Sequence, residues 1–142
     1  MKIDLIAGAR PNFMKISPII DAIHLLDKPT KPIEYRLIHT GQHYDENMSK
    51  TFFVDLGIPL PDYNLEAGSG TQSEQTGKIM IEYEKILSID CPDICLVVGD
   101  VNSTMACSIV AKKMGAKVAH VEGGLRSFDI TMPEEINRIV TD

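Results

Sequence analysis

The stretch ICLVVGDVNSTMACSIVAKKMGAKVAHV, residues Ile94–Val121, decides the fold of this chain. It begins with a continuous apolar segment, Ile94–Val98, which is typical of a strand that is covered on both faces. A polar turn leads into a helix over Ser103–Met114, which Gly115 ends, and a second strand follows at Lys117–Val121. A strand, a helix and a second strand in this order predict one βαβ unit of a parallel sheet.

The same alternation of strands and helices runs through the rest of the chain. Hydrophobic periodicity predicts further strands at Lys2–Ala7, Tyr35–His39 and Tyr63–Leu65, and further helices at Asn47–Leu56, Ser73–Ile89 and Glu134–Asp142. For the first helix we favour a start near Pro11 with a kink at Pro18, because the apolar stripe already begins at Phe13. The alternative is a helix that begins at Pro18 with Ser17 as its cap. The pattern predicts an α/β fold, a Rossmann-like parallel sheet with helices on both faces.

The bulk composition excludes several classes of protein. The 142 residues are 44% hydrophobic and 24% charged, which fits one globular domain with its own core. A formal net charge of −6 argues against a general nucleic-acid surface. No apolar run approaches the roughly 20 residues of a membrane span, and the N-terminus lacks a signal-peptide pattern, so we predict a cytoplasmic protein. The three cysteines lack metal-ligand spacing and are predicted to be buried free thiols.

Most of the polar chemistry falls on the turns that follow the strands. In a parallel sheet these turns share one edge, so they meet in one crevice, and the side chains delivered there are Arg10, His43, Asp100 and Glu122. Asp100 and Glu122 form a candidate carboxylate pair, in which one acid stays protonated near neutral pH and the two supply an acid and a base. Arg10, with Lys15 as a second cation, is placed to hold an anion at a helix N-terminus.

Several of these acids also have a purely structural interpretation. Asp100 or Asn102 fits a cap of the following helix as well as a catalytic role. Thr131 and Glu134 have the Thr-x-x-Glu spacing of a capping box, which is the alternative to a catalytic role for Glu134. Glu134 and Arg138 share one face of the last helix.

Five motifs together resemble one enzyme family. The motifs are GARPNFMK (8–15), TGQH (40–43), GDVNST (99–104), HVEGGLRS (120–127) and PEEINR (133–138). Their order and spacing are similar to those of the non-hydrolysing UDP-N-acetylglucosamine 2-epimerases, over essentially the whole chain. The resemblance implies the N-terminal half of a GT-B-type fold, in which two Rossmann-like domains enclose the active site.

The resemblance also implies how much of that fold these residues represent. Residues 1–142 match the N-terminal Rossmann-like domain, whereas the C-terminal domain, which in the family holds most of the UDP, is not matched. The last helix lacks a stop signal, which is expected if the chain is truncated. We therefore expect residues 1–142 alone to be inactive, because half of the cleft is absent.

The implied reaction interconverts UDP-N-acetylglucosamine and UDP-N-acetylmannosamine without a cofactor or a metal. The family eliminates UDP across C1–C2 to give 2-acetamidoglucal, and then adds UDP again with the opposite configuration at C2. Elimination needs a base near C2 and cations at the leaving diphosphate. The family resemblance further implies a homodimer and a role in cell-envelope polysaccharide biosynthesis.

The functional residues of the family transfer to this chain position by position. The acid/base carboxylates match Asp100, Glu122 and Glu134, and the substrate-binding positions match Arg10, Lys15, Arg138, Gln42 and His43. His120 and Arg126 match motif positions to which we assign supporting roles. Asn12 stands where many members have Glu, so we assign its side chain no direct role.

Two other functions stay open on the sequence. The first is a hydrolysing 2-epimerase or another GT-B-type nucleotide-sugar enzyme. Product analysis distinguishes these from a non-hydrolysing epimerase. The second is a non-catalytic flavodoxin-like binding module, whose acids would be helix caps and solvated charges. In such a module, neutralising Asp100 or Glu122 would change stability rather than turnover.

Overall fold

In the computed structural model, which describes residues 1–41 and 50–142, five strands alternate with five helices. The strands are β1 (Lys2–Ala7), β2 (Glu34–His39), β3 (Tyr63–Asn64), β4 (Ile94–Val98) and β5 (Lys117–Val121). The helices are α1 (Arg10–Leu26), α2 (Lys50–Asp55), α3 (Gln72–Ile89), α4 (Asn102–Lys113) and α5 (Pro133–Thr141). The predicted elements are present to within a few residues at their ends, except that positions 47–49 of the second predicted helix lie outside the described residues.

All strands are parallel and form one sheet in the order β3-β2-β1-β4-β5. β4 and β5 are neighbours in register, from Ile94 opposite Lys117 to Val98 opposite Val121, which confirms the βαβ unit predicted from this stretch. The strand order reverses between β1 and β4. In sheets of this kind the reversal opens a crevice at the carboxyl ends of the strands, where ligands bind.

The sheet separates two hydrophobic cores. On one face, α1 and α2 contribute to a cluster that includes Leu5, Phe13, Ile16, Ile20, Leu37, Phe52 and Val98. On the other face, α3 and α4 contribute to a cluster that includes Ile6, Ile38, Ile79, Tyr83, Val97, Cys107 and Val110. Successive strand residues point to opposite faces, which is why Val97 and Val98 belong to different cores. The prediction of a doubly covered, Rossmann-like sheet is confirmed.

The first helix passes through its internal proline. α1 is continuous across Pro18, so the early start is confirmed and the alternative start at Pro18 is wrong. Ser17 lies inside the helix, and its hydroxyl donates to the carbonyl of Leu56 at 2.9 Å instead of capping. Pro18 has no N–H, so the carbonyl of Met14 loses its helical partner.

The cysteines divide into two environments. Cys95 and Cys107 are buried, and burial raises the pKa of both thiols, to about 12 for Cys95. Cys91 is exposed, so the prediction of three buried thiols is wrong at this position. It lies in the turn between α3 and β4, where its thiol contacts the backbone carbonyls of Pro92 and Met114.

A buried ion pair joins the first two strands away from the crevice. Asp4 is fully buried opposite Arg36, whose Nε and Nη2 donate to its two carboxylate oxygens at 2.7 and 2.9 Å. The hydroxyl of Tyr83 in α3 also donates to Asp4, at 2.9 Å. Burial raises the pKa of Asp4, although the bonds from Arg36 and Tyr83 act in the opposite direction. The group therefore depends on its partners to remain charged inside the protein.

Replacing Arg36 by Met tests this dependence. We expect Arg36→Met to lower the free energy of unfolding by about 3–5 kcal/mol, because it leaves a buried carboxylate without its cation. Urea denaturation measures the change. Lys85→Met is the matched control, because it breaks the surface pair of Lys85 with Glu82 and should change stability little. Equal effects of the two variants would contradict the account.

Candidate active site

The turn after β1 is held at the switch point by Asn12. The backbone N–H groups of Gly8 and Ala9 donate to Asn12 Oδ1 at 3.0 and 2.9 Å. Asn12 Nδ2 donates to the carbonyl of Val98, the last residue of β4, at 3.3 Å. Asn12 is buried, so it fixes the turn from which α1 begins rather than facing the crevice. The sequence suggested no role for this side chain, and the structure gives it a positional one.

Two cations of α1 take different positions. Lys15 Nζ lies 2.7 and 2.8 Å from the two carboxylate oxygens of Glu122. Arg10 is exposed, with its guanidinium carbon 4.8 Å from the centroid of the Phe52 ring. Among residues 1–41 and 50–142, no ion pair joins Arg10 to an acid, so its guanidinium keeps its donors for an anion.

Glu122 follows β5 in an uncommon backbone conformation. Its φ is +71°, in the left-handed region that residues other than glycine and asparagine seldom adopt. Its side chain is 39% exposed and pairs with Lys15. Strain of this kind persists only where the surrounding contacts impose it, and it concentrates at functional sites.

Asp100 is paired with a cation from α5. Arg138 Nε and Nη2 both donate to Asp100 Oδ2, at 3.1 and 2.6 Å. Bonds to Glu135 and then to Asp100 raise the pKa of Arg138. The N-cap of α4 is Val101, and it makes no side-chain capping bond. The interpretation of Asp100 as a helix cap is therefore wrong, and its carboxylate faces Arg138 at the carboxyl edge of the sheet.

A network of side-chain amides supports the Asp100 turn. Asn102 Nδ2 donates to the side-chain oxygens of Gln72 and Gln75 in α3, at 2.7 and 2.9 Å. Asn137 Nδ2 donates to the backbone carbonyl of Asp100 at 2.9 Å and to Asn102 Oδ1 at 3.3 Å. Asn102 is thus not a cap either. It joins α3, α4 and α5 around the turn.

Glu135 is a site residue that the sequence reasoning missed. It is only 2% exposed, and it accepts hydrogen bonds from the N–H groups of Ser127 and Phe128, both at 3.0 Å. It also accepts from Arg138 Nη1 at 2.8 Å. The bond from Ser127, followed by the bond from Arg138, lowers the pKa of Glu135 to about 2. Its i, i+3 spacing to Arg138 is the signal by which the sequence could have revealed it.

Glu134 has a different environment from its neighbour. The N-cap of α5 is Met132, without a side-chain capping bond, and the hydroxyl of Thr131 donates to Asp129 at 2.6 Å. The capping-box interpretation of Glu134 is therefore wrong. Glu134 is exposed and has no hydrogen bond or ion pair within the described part of the chain. Its catalytic assignment stays a prediction.

The structure brings together some of the predicted site residues and not others. It joins Lys15 to Glu122 and Arg138 to Asp100, so these two acids are paired with different cations. No hydrogen bond joins the two acids to each other in the part of the chain that the structure describes, and the sharing of one proton between them stays a prediction. Gln42 and His43 lie outside the described residues.

Two further observations concern the described ranges only. Within 1–41 and 50–142, no group of three or more His, Cys, Asp or Glu side chains could hold a metal ion. Over the same ranges, no helix combines the length and the apolar character needed to cross a membrane.

The fold and this edge define a doubly wound α/β protein with two ion-paired acids at the carboxyl ends of β4 and β5. Comparison of its sequence with known families gives a narrower assignment. The model of the UDP-N-acetylglucosamine 2-epimerase family matches residues 27–142. The chain therefore belongs to that family.

Individual relatives match over the entire chain. The UDP-N-acetylglucosamine 2-epimerase of Methanocaldococcus jannaschii is 53% identical over 142 residues, which is 100% of this chain and 37% of the relative. The UDP-2,3-diacetamido-2,3-dideoxy-D-glucuronate 2-epimerase of Pseudomonas aeruginosa is 48% identical, over 100% of this chain and 39% of the relative. This chain thus spans little more than a third of the length of either relative.

A solved structure agrees with these matches. The crystal structure of the Methanocaldococcus jannaschii UDP-GlcNAc 2-epimerase in complex with UDP-GlcNAc and UDP superposes with a TM-score of 0.91 at 53% identity. The superposition covers 100% of this chain and 38% of that one. The order and packing of the strands described above are therefore those of this family.

The buried acid Glu135 gives a prediction about stability and pH. Its pKa falls from an ordinary value of 4.5 to about 2 on folding, so its ionised form stabilises the fold above pH 4.5. That contribution is lost as the pH drops through 4.5 towards 2. We expect Glu135→Gln to lower the midpoint of thermal unfolding at pH 6. Near pH 2.5 the midpoint of the variant should approach that of the unmodified protein. Circular dichroism measures both midpoints.

Glu134→Gln is the matched control for this measurement. It makes the same chemical change one residue away, at an exposed carboxylate, and should leave the midpoint nearly unchanged at either pH. A deficit of Glu135→Gln that is independent of pH would contradict the assignment of an ionised Glu135.

Proposed function

We propose that the protein containing this chain catalyses the reversible epimerisation of UDP-N-acetylglucosamine at C2, giving UDP-N-acetylmannosamine without net hydrolysis. One observation carries the proposal. The carboxyl ends of the adjacent strands β4 and β5 present Asp100 and Glu122, and each acid is held by a cation from another element, Arg138 and Lys15. Acids and cations converging at a strand-order switch point suit proton transfer on a bound anionic ligand.

The reaction consists of two balanced steps. In the first, a carboxylate takes the C2 proton, the C1–O bond breaks, and UDP leaves with the bonding electrons to give 2-acetamidoglucal. In the second, a carboxylic acid delivers a proton to the opposite face of C2 while a diphosphate oxygen of UDP forms a new bond to C1. We assign the acid–base roles to Asp100, Glu122 and Glu134. Both electron pairs stay within substrate and protein, so the reaction consumes no redox cofactor.

The cations are suited to the charge that develops on the leaving group. Arg10 has a guanidinium without an acidic partner among the described residues, at the N-terminus of α1, where an anion is also favoured by the helix dipole. Lys15 lies in the same helix and is bound to Glu122. A diphosphate that draws Lys15 away would free the carboxylate of Glu122 from its ion pair, which would couple binding of the leaving group to proton removal.

The proposal includes a second domain. Residues 1–142 correspond to about 37% of the length of the Methanocaldococcus jannaschii relative. We propose that they form the N-terminal Rossmann-like domain of a GT-B-type enzyme whose second domain completes the cleft and holds most of the UDP. On this basis residues 1–142 alone should bind nucleotide sugar weakly and turn over none of it.

A second candidate substrate has support from one relative. The Pseudomonas aeruginosa relative, 48% identical, is a 2-epimerase of a UDP-linked diacetamido glucuronate. The chemistry at C2 would be the same, and only the substituents at C3 and C6 would differ. Comparing the kcat/KM values of the two nucleotide sugars distinguishes these substrates.

Three further properties stay predictions from the family resemblance. They are homodimerisation, a cytoplasmic location, and a role in supplying N-acetylmannosamine for cell-envelope polysaccharides. Sedimentation of the full-length protein tests the first of them. A monomer at the concentrations used for assays would remove the dimer from the proposal.

The reaction and its residues can be tested together on the full-length protein. We expect Asp100→Asn and Glu122→Gln each to lower kcat by about 10²–10⁴-fold, because each removes a group that transfers a proton. Separating the products of UDP-N-acetylglucosamine by chromatography measures the rate. Glu84→Gln, at an exposed acid of α3, is the control and should leave the rate unchanged.

The same product analysis can overturn the proposal. Free N-acetylmannosamine with UDP would show the hydrolysing reaction instead. Full turnover by both crevice variants would assign Asp100 and Glu122 to structure. No product from the folded full-length protein, with either nucleotide sugar, would leave the binding-module alternative.

A further inference from the structure

The imidazole of His120 connects the two turns that carry the candidate acids. Its Nε2 lies 2.7 Å from the carbonyl oxygen of Gly99, the residue before Asp100. Its Nδ1 lies 2.5 Å from Asp142 Oδ1 at the end of α5. His120 itself lies two residues before Glu122. A single side chain thus joins the end of β5 to the end of β4 and to α5.

Asp142 holds the turn that follows Glu122. Its Oδ2 accepts from the N–H of Gly124 at 2.8 Å and from Arg126 Nη1 at 2.6 Å, while its Oδ1 faces His120. Burial alone would raise the pKa of Asp142, but the hydrogen bonds from Arg126, Gly124 and His120 lower it to about 2. The carboxylate is therefore ionised at neutral pH and has donors on both of its oxygens.

The absence of a side chain at Gly123 leaves room for the contact between His120 and Asp142. A Cβ atom added to Gly123 would lie 3.2 Å from Asp142 Oδ1 and 3.4 Å from His120 Nδ1, so a larger residue would push on the pair. The preceding residue, Glu122, has a positive φ of 71°. The His120–Asp142 contact therefore lies against the backbone of Gly123, which directly follows the strained Glu122.

We propose that His120 and Asp142 are positioning residues that set the distance and orientation between the two acid-bearing turns, Gly99–Asp100 and Glu122–Gly124. The proposal rests on the proposed epimerase function, because it concerns the geometry of that site. Neither residue is assigned a contact with substrate. His120 acts through the carbonyl of Gly99, and Asp142 acts through the N–H of Gly124.

The contacts of the ring are specific at both nitrogens. The Gly99 carbonyl and the carboxylate of Asp142 can only accept hydrogen bonds, so each ring nitrogen of His120 faces an acceptor.

Asp142→Ala and Asp142→Asn together test positioning in the full-length protein. The Ala variant removes all three contacts. We expect it to lower kcat by on the order of 100-fold with little change in KM, because misplacement of a reacting group by about 1 Å has that effect. The Asn variant keeps an oxygen for Gly124 and Arg126 and presents its amide to His120 Nδ1. We expect it to retain most of the wild-type kcat.

Two further measurements separate positioning from general stability. Asp21→Ala, at an exposed acid of α1, controls for the loss of one negative charge and should leave kcat unchanged. A crystal structure of the full-length Asp142→Ala variant should show the Glu122–Gly124 turn displaced from the Gly99–Asp100 turn, whereas Asp142→Asn should keep both turns in place.

The outcomes are distinct from those of the proposed function. If a folded Asp142→Ala variant keeps its kcat, or if Asp142→Asn falls as far as Asp142→Ala, the positioning role is wrong. If the two turns keep their positions in the Asp142→Ala structure, the bridge between them is wrong. This structural result does not depend on turnover, so a wild-type protein that is inactive overturns the function and leaves the bridge to be judged by the positions of the turns.

Discussion

Arg138 binds two acids at once, Asp100 and Glu135, and the geometry of the crevice depends on both ion pairs. One side of its guanidinium holds Asp100 through Nε and Nη2, and Nη1 holds the buried Glu135. Glu135 in turn accepts hydrogen bonds from two backbone N–H groups of the loop after β5. Hydrogen bonds of this kind join charged groups, and they hold a loop whose large apolar side chains are mostly exposed. Arg138 thereby connects α5 and the loop to the end of β4.

This dependence follows from the composition of the loop between β5 and α5. Its large apolar side chains Leu125, Phe128 and Ile130 are 59%, 91% and 64% exposed. Apolar packing within the chain therefore contributes little to its order, and polar contacts made from α5 define its path. Glu135 and Asp142 lie at opposite ends of that helix and hold the loop at two points. The sheet places the acids along its carboxyl edge, and contacts from Glu135 and Asp142 hold the loop that follows β5.

Much of this was predictable from the sequence, and each failure has a physical cause. The alternation of apolar strands with amphipathic helices predicted the parallel sheet, and the sheet alone predicted that Arg10, Asp100 and Glu122 share an edge. The capping interpretation of Asp100 was wrong because local spacing is blind to Arg138, which lies 38 residues beyond Asp100 and takes its carboxylate. That of Glu134 was wrong because the hydroxyl of Thr131 donates to Asp129 and α5 begins after Met132.

The contacts of Asp142 show the same limit of local spacing. Asp142 receives hydrogen bonds from His120, Gly124 and Arg126. Contacts of this kind join residues that are 16 to 22 positions apart, and they become visible only when the strands are placed in order. The central claim of this account is that the crevice so formed exchanges the proton at C2 of a UDP-linked amino sugar. Proton NMR of UDP-N-acetylglucosamine with the full-length protein in D₂O tests that claim most directly. The account predicts deuterium at C2 and a new signal of the manno epimer without any added cofactor. An unchanged, unlabelled sugar in the presence of folded protein would contradict it.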